Sequence, residues 1–330
     1  MNPAKFQDQP ASAETAFPGT GSNAPMKALL RSILTASLIA AGVLCFTVGS
    51  LSLQMPRVVA RPSVRETRDL KLPAAKLLCL TNENGSVQVY ARAADDIALQ
   101  AAIKAYKRSG ADLATVQEYV ASLIHVEADG ASLHVVTEPE ERPDTVDLRV
   151  DYLIMVPEGT NLDIEGSNGN VWISKGCGKV CVQGRNTDIE IAEPRGEVLA
   201  MSTNGRIRVL DAPQDTTIKT VNGNVYAHMI GGSLHAATTN GAIVARVLDP
   251  SVQECTLNSE NGGITVVMEA RCSANVNATT DRGVITSDFE TDSSLGVRTR
   301  RHLKGMIGEG HTKLQMNTLN GNIWIAKGAL

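Results

Sequence analysis

Aromatic side chains are scarce: Phe, Tyr and Trp make up 3% of the 330 residues, and only two are tryptophan. Rings carry much of the buried area in large globular cores, so a thin-cored β-rod rich in Gly, Thr and Asn fits the composition better than a globular enzyme. The chain is slightly acidic, at net charge −4, and has no basic run, which removes the electrostatic footprint of nucleic-acid binding. It has no GxSxG elbow, no phosphate-cradling GxxxxGKS/T loop and no GGxGxDx calcium nonapeptide. His125, His134, His228, His235, His302 and His311 are scattered and never reach HExxH spacing, so they read as solvated or packed side chains. Of six cysteines, Cys45 lies in an apolar segment, leaving Cys79, Cys177, Cys181, Cys255 and Cys272. That odd number requires one thiol to be free or to pair between chains. Cys177 and Cys181 share a turn and the outward side of a strand, where a small-loop disulfide is one reading. Cys255 falls in an inward column and reads as a buried thiol. No catalytic, cofactor-binding or metal-binding residue is assigned, and neither an enzyme activity nor a cofactor is expected.

What the chain does have is a repeat. Asn168, Asn186, Asn204, Asn222 and Asn240 follow one another at 18-residue intervals, four of them followed by Gly and one by Thr187. The series continues less strictly at Asn261-Gly262, Arg282-Gly283 and Asn320-Gly321, with Asn84-Gly85 an outlier upstream. A fixed period of this length marks a repeat architecture.

Counted from each Asn, two apolar columns lie three and five positions on, beginning Val171 and Ile173, Ile189 and Ile191, Ile207 and Val209. The column between them is chemically free: Trp172, Glu190, Arg208, Tyr226, Val244, Thr265, Thr286, Trp324. Six and four positions before each Asn stand apolar residues again, as in Leu162 and Ile164 or Val180 and Val182. Two before it the residue is small or hydroxylated, as in Ser202, Thr220 and Thr238. Alternation with period two is the signal of strands with one face buried. Each unit is therefore two short strands with a corner at Asn-Gly, a pair suited to left-handed backbone. Asn-Gly also begins hairpins, but an antiparallel meander of this many strands would expose a long apolar face that nothing in the sequence covers. Stacked coils bury their inward columns on one another and place like on like. The expected fold is all-β: a β-solenoid of ~18–21-residue rungs behind a small mixed β/α capping module and one N-terminal transmembrane helix. The corner asparagines Asn168, Asn186, Asn204, Asn222, Asn240, Asn261 and Asn320 form a structural ladder. Trp172, Tyr226 and Trp324 form an outward aromatic column, several rungs apart, on which sugar rings would stack.

The chain divides as follows. Residues 1–26 have the composition of a disordered tail. Residues 27–55 hold the uncharged apolar run Ser32–Leu53, long enough to cross a bilayer and read as an uncleaved signal anchor. A charged, proline-marked linker follows over 56–75. The capping module, 76–160, contains strands around Asn84 and from Ile97, a helix through Leu113, Val116 and Val120 capped by Ser109 or Asp112, a hairpin about Asp129-Gly130, and a strand Val146–Val156. The solenoid occupies 161–330, and its last rung, ending at Trp324-Ile325-Ala326, is expected to be bare. Arg57, Arg61, Arg65 and Arg68 after the span outnumber Lys27 and Arg31 before it, so positive charge alone would leave the C-terminal part in the cytoplasm.

The segments TNENGSVQV, DYLIMVPEGTNLDIEGSNGNVWI and LKGMIGEGHTKLQMNTLNGNIWIAKG resemble a bacterial domain-of-unknown-function family of β-strand-repeat proteins labelled "putative adhesin". The likeness covers roughly residues 76–330. It implies an envelope-associated, extracytoplasmic β-solenoid on the periplasmic or outer side of a single-pass anchor, and it carries over no catalytic residue. The first functional reading is a non-catalytic, membrane-anchored envelope protein serving adhesion, scaffolding or stress signalling, with a polysaccharide or another protein as partner. One alternative is a self-assembling scaffold resembling bactofilins, pairing end to end through the bare rung. The other is a β-helix protein that binds or cleaves polysaccharide, for which Glu190 and Arg208 are neighbouring outward residues.

Overall fold

The computed structural model describes residues 63–107, 112–137, 146–247, 249–290 and 292–328, with backbone alone for 292–296. The tail at 1–26 and the apolar span Ser32–Leu53 lie outside these residues. No helix among the described residues is long and apolar enough to cross a membrane. The described chain is all-β apart from one helix, Leu113–Ala121.

Units 18 residues apart lie side by side in parallel register. Ile189 pairs Ile207, Ile207 pairs Val225, and Val225 pairs Ile243. The strands before the corner form a second parallel ladder, in which Val180 pairs Val198, Val198 pairs Thr216 and Thr216 pairs Leu234. Both apolar columns of each ladder point inward: Ile189, Ile207, Val225, Val182, Ala200 and Ile218 are all buried. The period-two pattern therefore assigned the faces as the structure has them.

Asn84-Gly85 stands apart in sequence but not in space. Leu78 pairs Leu162, Asn84 pairs Asn168 and Val87 pairs Val171, so this corner opens the stack one rung ahead of Asn168. The rest of the N-terminal part builds outward from it. On one ladder Val87–Arg92 pairs Val146–Pro157, which pairs Asp96–Lys107, which pairs Ser63–Pro73. The last of these is a strand where the sequence reads as linker. On the other ladder Leu77–Asn84 pairs Ser132–Thr137, the second strand of the expected hairpin. The helix buries Val116, Tyr119 and Val120, and Arg68 closes its end by donating to the carbonyls of Val120 (2.6 Å) and Ala121 (3.2 Å).

The expectation of a bare C-terminal rung is overturned. Strand Thr312–Thr318 pairs Val252–Ser259 on one side and Ala274–Thr280 on the other, and Ile323–Gly328 pairs both Ile264–Glu269 and Ile285–Ser287. The Asn320 rung is thus inserted between the Asn261 and Arg282 rungs. After Asn261 the chain leaves one slot empty, lays down the Arg282 rung, and returns to fill the slot. Strand His302–Ile307 covers the Arg282 rung antiparallel and pairs Asp292–Arg298. Sequence order hid this, because each inserted unit has the same columns as its neighbours and fits either slot.

The corners follow a different logic from the one expected. Only Gly85 (φ +131°) and Gly169 (φ +152°) among the corner glycines are left-handed. The others are needed because corner backbones stack in contact: a Cβ on Gly223 would lie 1.9 Å from the Gly205 carbonyl oxygen, and one on Gly241 2.0 Å from that of Gly223. Hydroxyls two residues before the Asn222, Asn240 and Asn261 corners satisfy such carbonyls. Thr220 donates to Gly205 (3.1 Å), Thr238 to Gly223 (3.0 Å) and Ser259 to Gly241 (3.0 Å). The Asn186 rung departs because its corner carries Thr187, which is buried. Gly184 makes the room: a Cβ there would fall 2.5 Å from the Thr187 Cβ. Two departures from the repeat thus compensate each other.

Candidate functional site

The seven corner asparagines join in one amide ladder, with Asn84 before them. Each Nδ2 donates to the preceding Oδ1: Asn168 to Asn84 at 2.8 Å, Asn186 to Asn168 at 2.7 Å, Asn204 to Asn186 at 2.8 Å, Asn222 to Asn204 at 2.7 Å and Asn240 to Asn222 at 2.8 Å. Asn261 donates to Asn240 (2.9 Å) and Asn320 to Asn261 (2.7 Å), and Arg282 closes the series onto Asn320 (3.2 Å). The ladder itself reveals the rung order, since Asn320 bonds Asn261 and not Arg282 alone.

The outward column beginning at Trp172 is a mixed surface. Register sets it in the order Gln88, Trp172, Glu190, Arg208, Tyr226, Val244, Thr265, Trp324, Thr286. Trp172 and Tyr226 are three rungs apart, as are Tyr226 and Trp324, and the structure does not bring the three rings together. Trp324 stands between two threonines and donates to Asp288 at 3.0 Å.

Trp172 instead meets a ring the sequence reading missed. Tyr90 lies with its centroid 4.8 Å away at a 55° tilt. Only the placement of the Asn84 rung beside Asn168 makes this visible. The two rings line a surface groove of about 480 Å³ that runs across the Asn84, Asn168, Asn186 and Asn204 rungs. Its floor carries two ion pairs, each across one rung step: Glu190 with Arg208 at 3.1 Å and Asp188 with Arg206 at 3.3 Å. The guanidinium of Arg208 also lies 5.6 Å from the Tyr226 ring centre, extending the ridge by a rung. Arg149, on the strand that pairs with the Tyr90 strand, also lines the groove.

Arg149 is held by Asp151 (2.9 Å), which also accepts from the Ser86 amide and hydroxyl, both at 2.9 Å. Burial opposes ionisation of Asp151, but the bonds from Arg149 and Ser86 outweigh it and bring its pKa down to about 2. A carboxylate with a depressed folded pKa adds stability that is present above its unfolded value and lost as pH falls through the folded one. The melting-temperature gap between the native chain and its Asp151→Asn variant is therefore expected to be widest above about pH 5 and to close between about pH 4 and pH 2. A gap constant across that window in thermal melts would contradict the assignment.

The cysteines Cys79, Cys177, Cys181, Cys255 and Cys272 are all free. Cys177 and Cys181 do not share an outward side. Cys177 is fully buried in the turn, where burial pushes its thiol up to about 12, while Cys181 is partly exposed beside Asp163. Cys255 is buried as its column requires, and its thiol is likewise pushed up to about 12. His228 reaches Asp211 at 2.6 Å, a contact between adjacent rungs that the sequence spacing does not signal.

No family model and no curated protein matches the chain. Among solved structures it is similar to a "putative adhesin" of Bacteroides fragilis at 11% identity and TM-score 0.42, covering 79% of this chain and 97% of that one. A "putative adhesin" of Parabacteroides distasonis is similar at 8% identity and TM-score 0.36, over 79% and 97%. A "putative lipid binding protein" of the same species is similar at 12% identity and TM-score 0.27, over 80% and 97%.

Proposed function

We propose that the chain is a membrane-anchored, non-catalytic cell-envelope protein. Its β-solenoid of 18–21-residue rungs stands outside the membrane and presents an outer face to a partner, the role the word adhesin describes. The observation that carries this reading is the parallel stack from Asn84 to Arg282: both ladders and the inward columns continue from rung to rung, with local register shifts at Val209–Ala212 and Gly232–Ser233, and the corner amides run as far as Asn320. Such a stack holds outward side chains at fixed intervals, which suits presentation of a surface. In the groove Asp188 and Glu190 each hold an arginine, an arrangement for binding more than for proton transfer. Both strands of the Asn320 rung have partners on either side, so end-to-end assembly would have to use a different edge of the stack.

The test is made on the producing cells. Proteinase K added to intact cells is expected to degrade the repeat, and loss of the chain is expected to lower adherence to surfaces coated with envelope polysaccharide or protein. Protection of the repeat even after the outer membrane is permeabilised, or undiminished adherence, would count against the reading.

A further inference from the structure

We propose that the groove beside Trp172 binds a neutral glycan chain laid along the stack, with one pyranose per rung. This rests on the outer face being a presenting surface and names what it presents to.

Three observations converge. In a chain with so few rings, Tyr90 and Trp172 stand together at 4.8 Å and form an apolar corner. The C–H face of a sugar packs on such rings while its hydroxyls remain free to bond at the edge. Next to that corner, the Asp188–Arg206 and Glu190–Arg208 pairs set an acceptor and a fork of donors side by side on successive rungs. A hydroxyl both donates and accepts, so paired groups of this kind match vicinal hydroxyls. The charges offset each other within each pair, and Arg149 shares Asp151 with Lys104, so no large block of one sign faces the groove. Finally, rungs advance by about 4.8 Å, close to the rise of one sugar along an extended equatorially linked chain. The groove spans several such steps and, at about 480 Å³, has the size of an ordinary small-ligand site.

The experiment is calorimetric titration of the full-length chain with cellohexaose, chitohexaose, mannohexaose and maltohexaose, and with heparin as the acidic probe. At least one neutral hexasaccharide is expected to bind. Trp172→Ala and Tyr90→Ala should each weaken that binding tenfold or more, and Trp324→Ala should leave it unchanged. Thermal melts check each variant's fold, and Tyr90→Ala keeps the test decisive should Trp172→Ala fail to fold. Failure of all four hexasaccharides to bind overturns the proposal. So does binding that survives both groove substitutions, or binding of heparin alone that salt abolishes. The adherence of cells is read separately: a purified chain that binds a hexasaccharide while adherence is unchanged sinks the adhesin reading and leaves the site standing, and the reverse result does the opposite.

Discussion

Ile207→Asp will unfold the stack, whereas Arg208→Ala, one residue away, will lower its melting temperature only slightly. Ile207 is fully buried between Ile189 and Val225 on the neighbouring rungs. Its side chain contributes about 1.5–3 kcal/mol by burial. An unpaired carboxylate in its place adds several kcal/mol more, or forces the group to protonate. Together these approach the whole stability of a typical domain, about 5–15 kcal/mol. The damage spreads because each rung relies on its neighbours for cover. Arg208 points the other way. Its removal breaks the half-exposed pair with Glu190 and the contact with Tyr226, each worth about 1 kcal/mol or less. Circular-dichroism melts of both variants distinguish the faces. Two equally mild variants would refute the assignment of inside and outside, and Ile189→Asp serves as an independent repeat.

Gly223→Ala is expected to be strongly destabilising for a single added methyl, as at the other stacked corners. The added Cβ would sit 1.9 Å from the Gly205 carbonyl oxygen and 2.6 Å from its carbon. No rotamer relieves a clash of backbone with Cβ, so the two rungs must move apart. That strains the Thr220–Gly205 and Thr238–Gly223 bonds and the amide ladder at Asn204, Asn222 and Asn240 together. Overpacking a tight core costs about 1–3 kcal/mol, and a stacked backbone with no side chain to yield should lie at or above the top of that range. Gly130→Ala is the informative comparison. Gly130 has φ +58° with nothing within 4 Å of a new Cβ, so it carries only the left-handed penalty of about 1–2 kcal/mol. A Gly130 variant as unstable as the Gly223 variant would mean that the corners need backbone freedom and not close approach.

These two expectations also mark what the sequence made legible. The faces were readable because period two is imposed by strand geometry itself, and Ile189, Ile207 and Val225 obeyed it without exception. The helix over Leu113–Ala121 and the hairpin at Asp129-Gly130 followed from local spacing and turn chemistry. The reason for the corner glycines was not readable, since Asn-Gly signals left-handed backbone and close stacking with the same letters. Rung order was hidden for a related cause. Thr256 and Gln315, or Asn258 and Asn317, are neighbours only because the Asn320 unit fills a skipped slot, and nothing in a repeat marks which slot it fills. The groove was lost at the same step. Trp172 and the Glu190–Arg208 pair were visible as a column, but Tyr90 joins them only once the Asn84 corner is seated on Asn168.

The inserted rung offers the most direct test of the stack as a whole. In the structure Asn258 pairs Asn317, and Asn317 pairs Thr279, so Asn258 and Thr279 are separated by a full rung. Were the rungs stacked in chain order, Asn258 and Thr279 would be neighbours instead. Disulfide formation needs Cα atoms within about 7 Å, while strands two rungs apart are roughly 9.6 Å distant. Under mild oxidation, with the bond located by peptide mass spectrometry, the pair Asn258→Cys and Asn317→Cys is expected to cross-link, and Asn258→Cys with Thr279→Cys to stay reduced. The opposite pattern would contradict the parallel, interleaved stack on which this account is built.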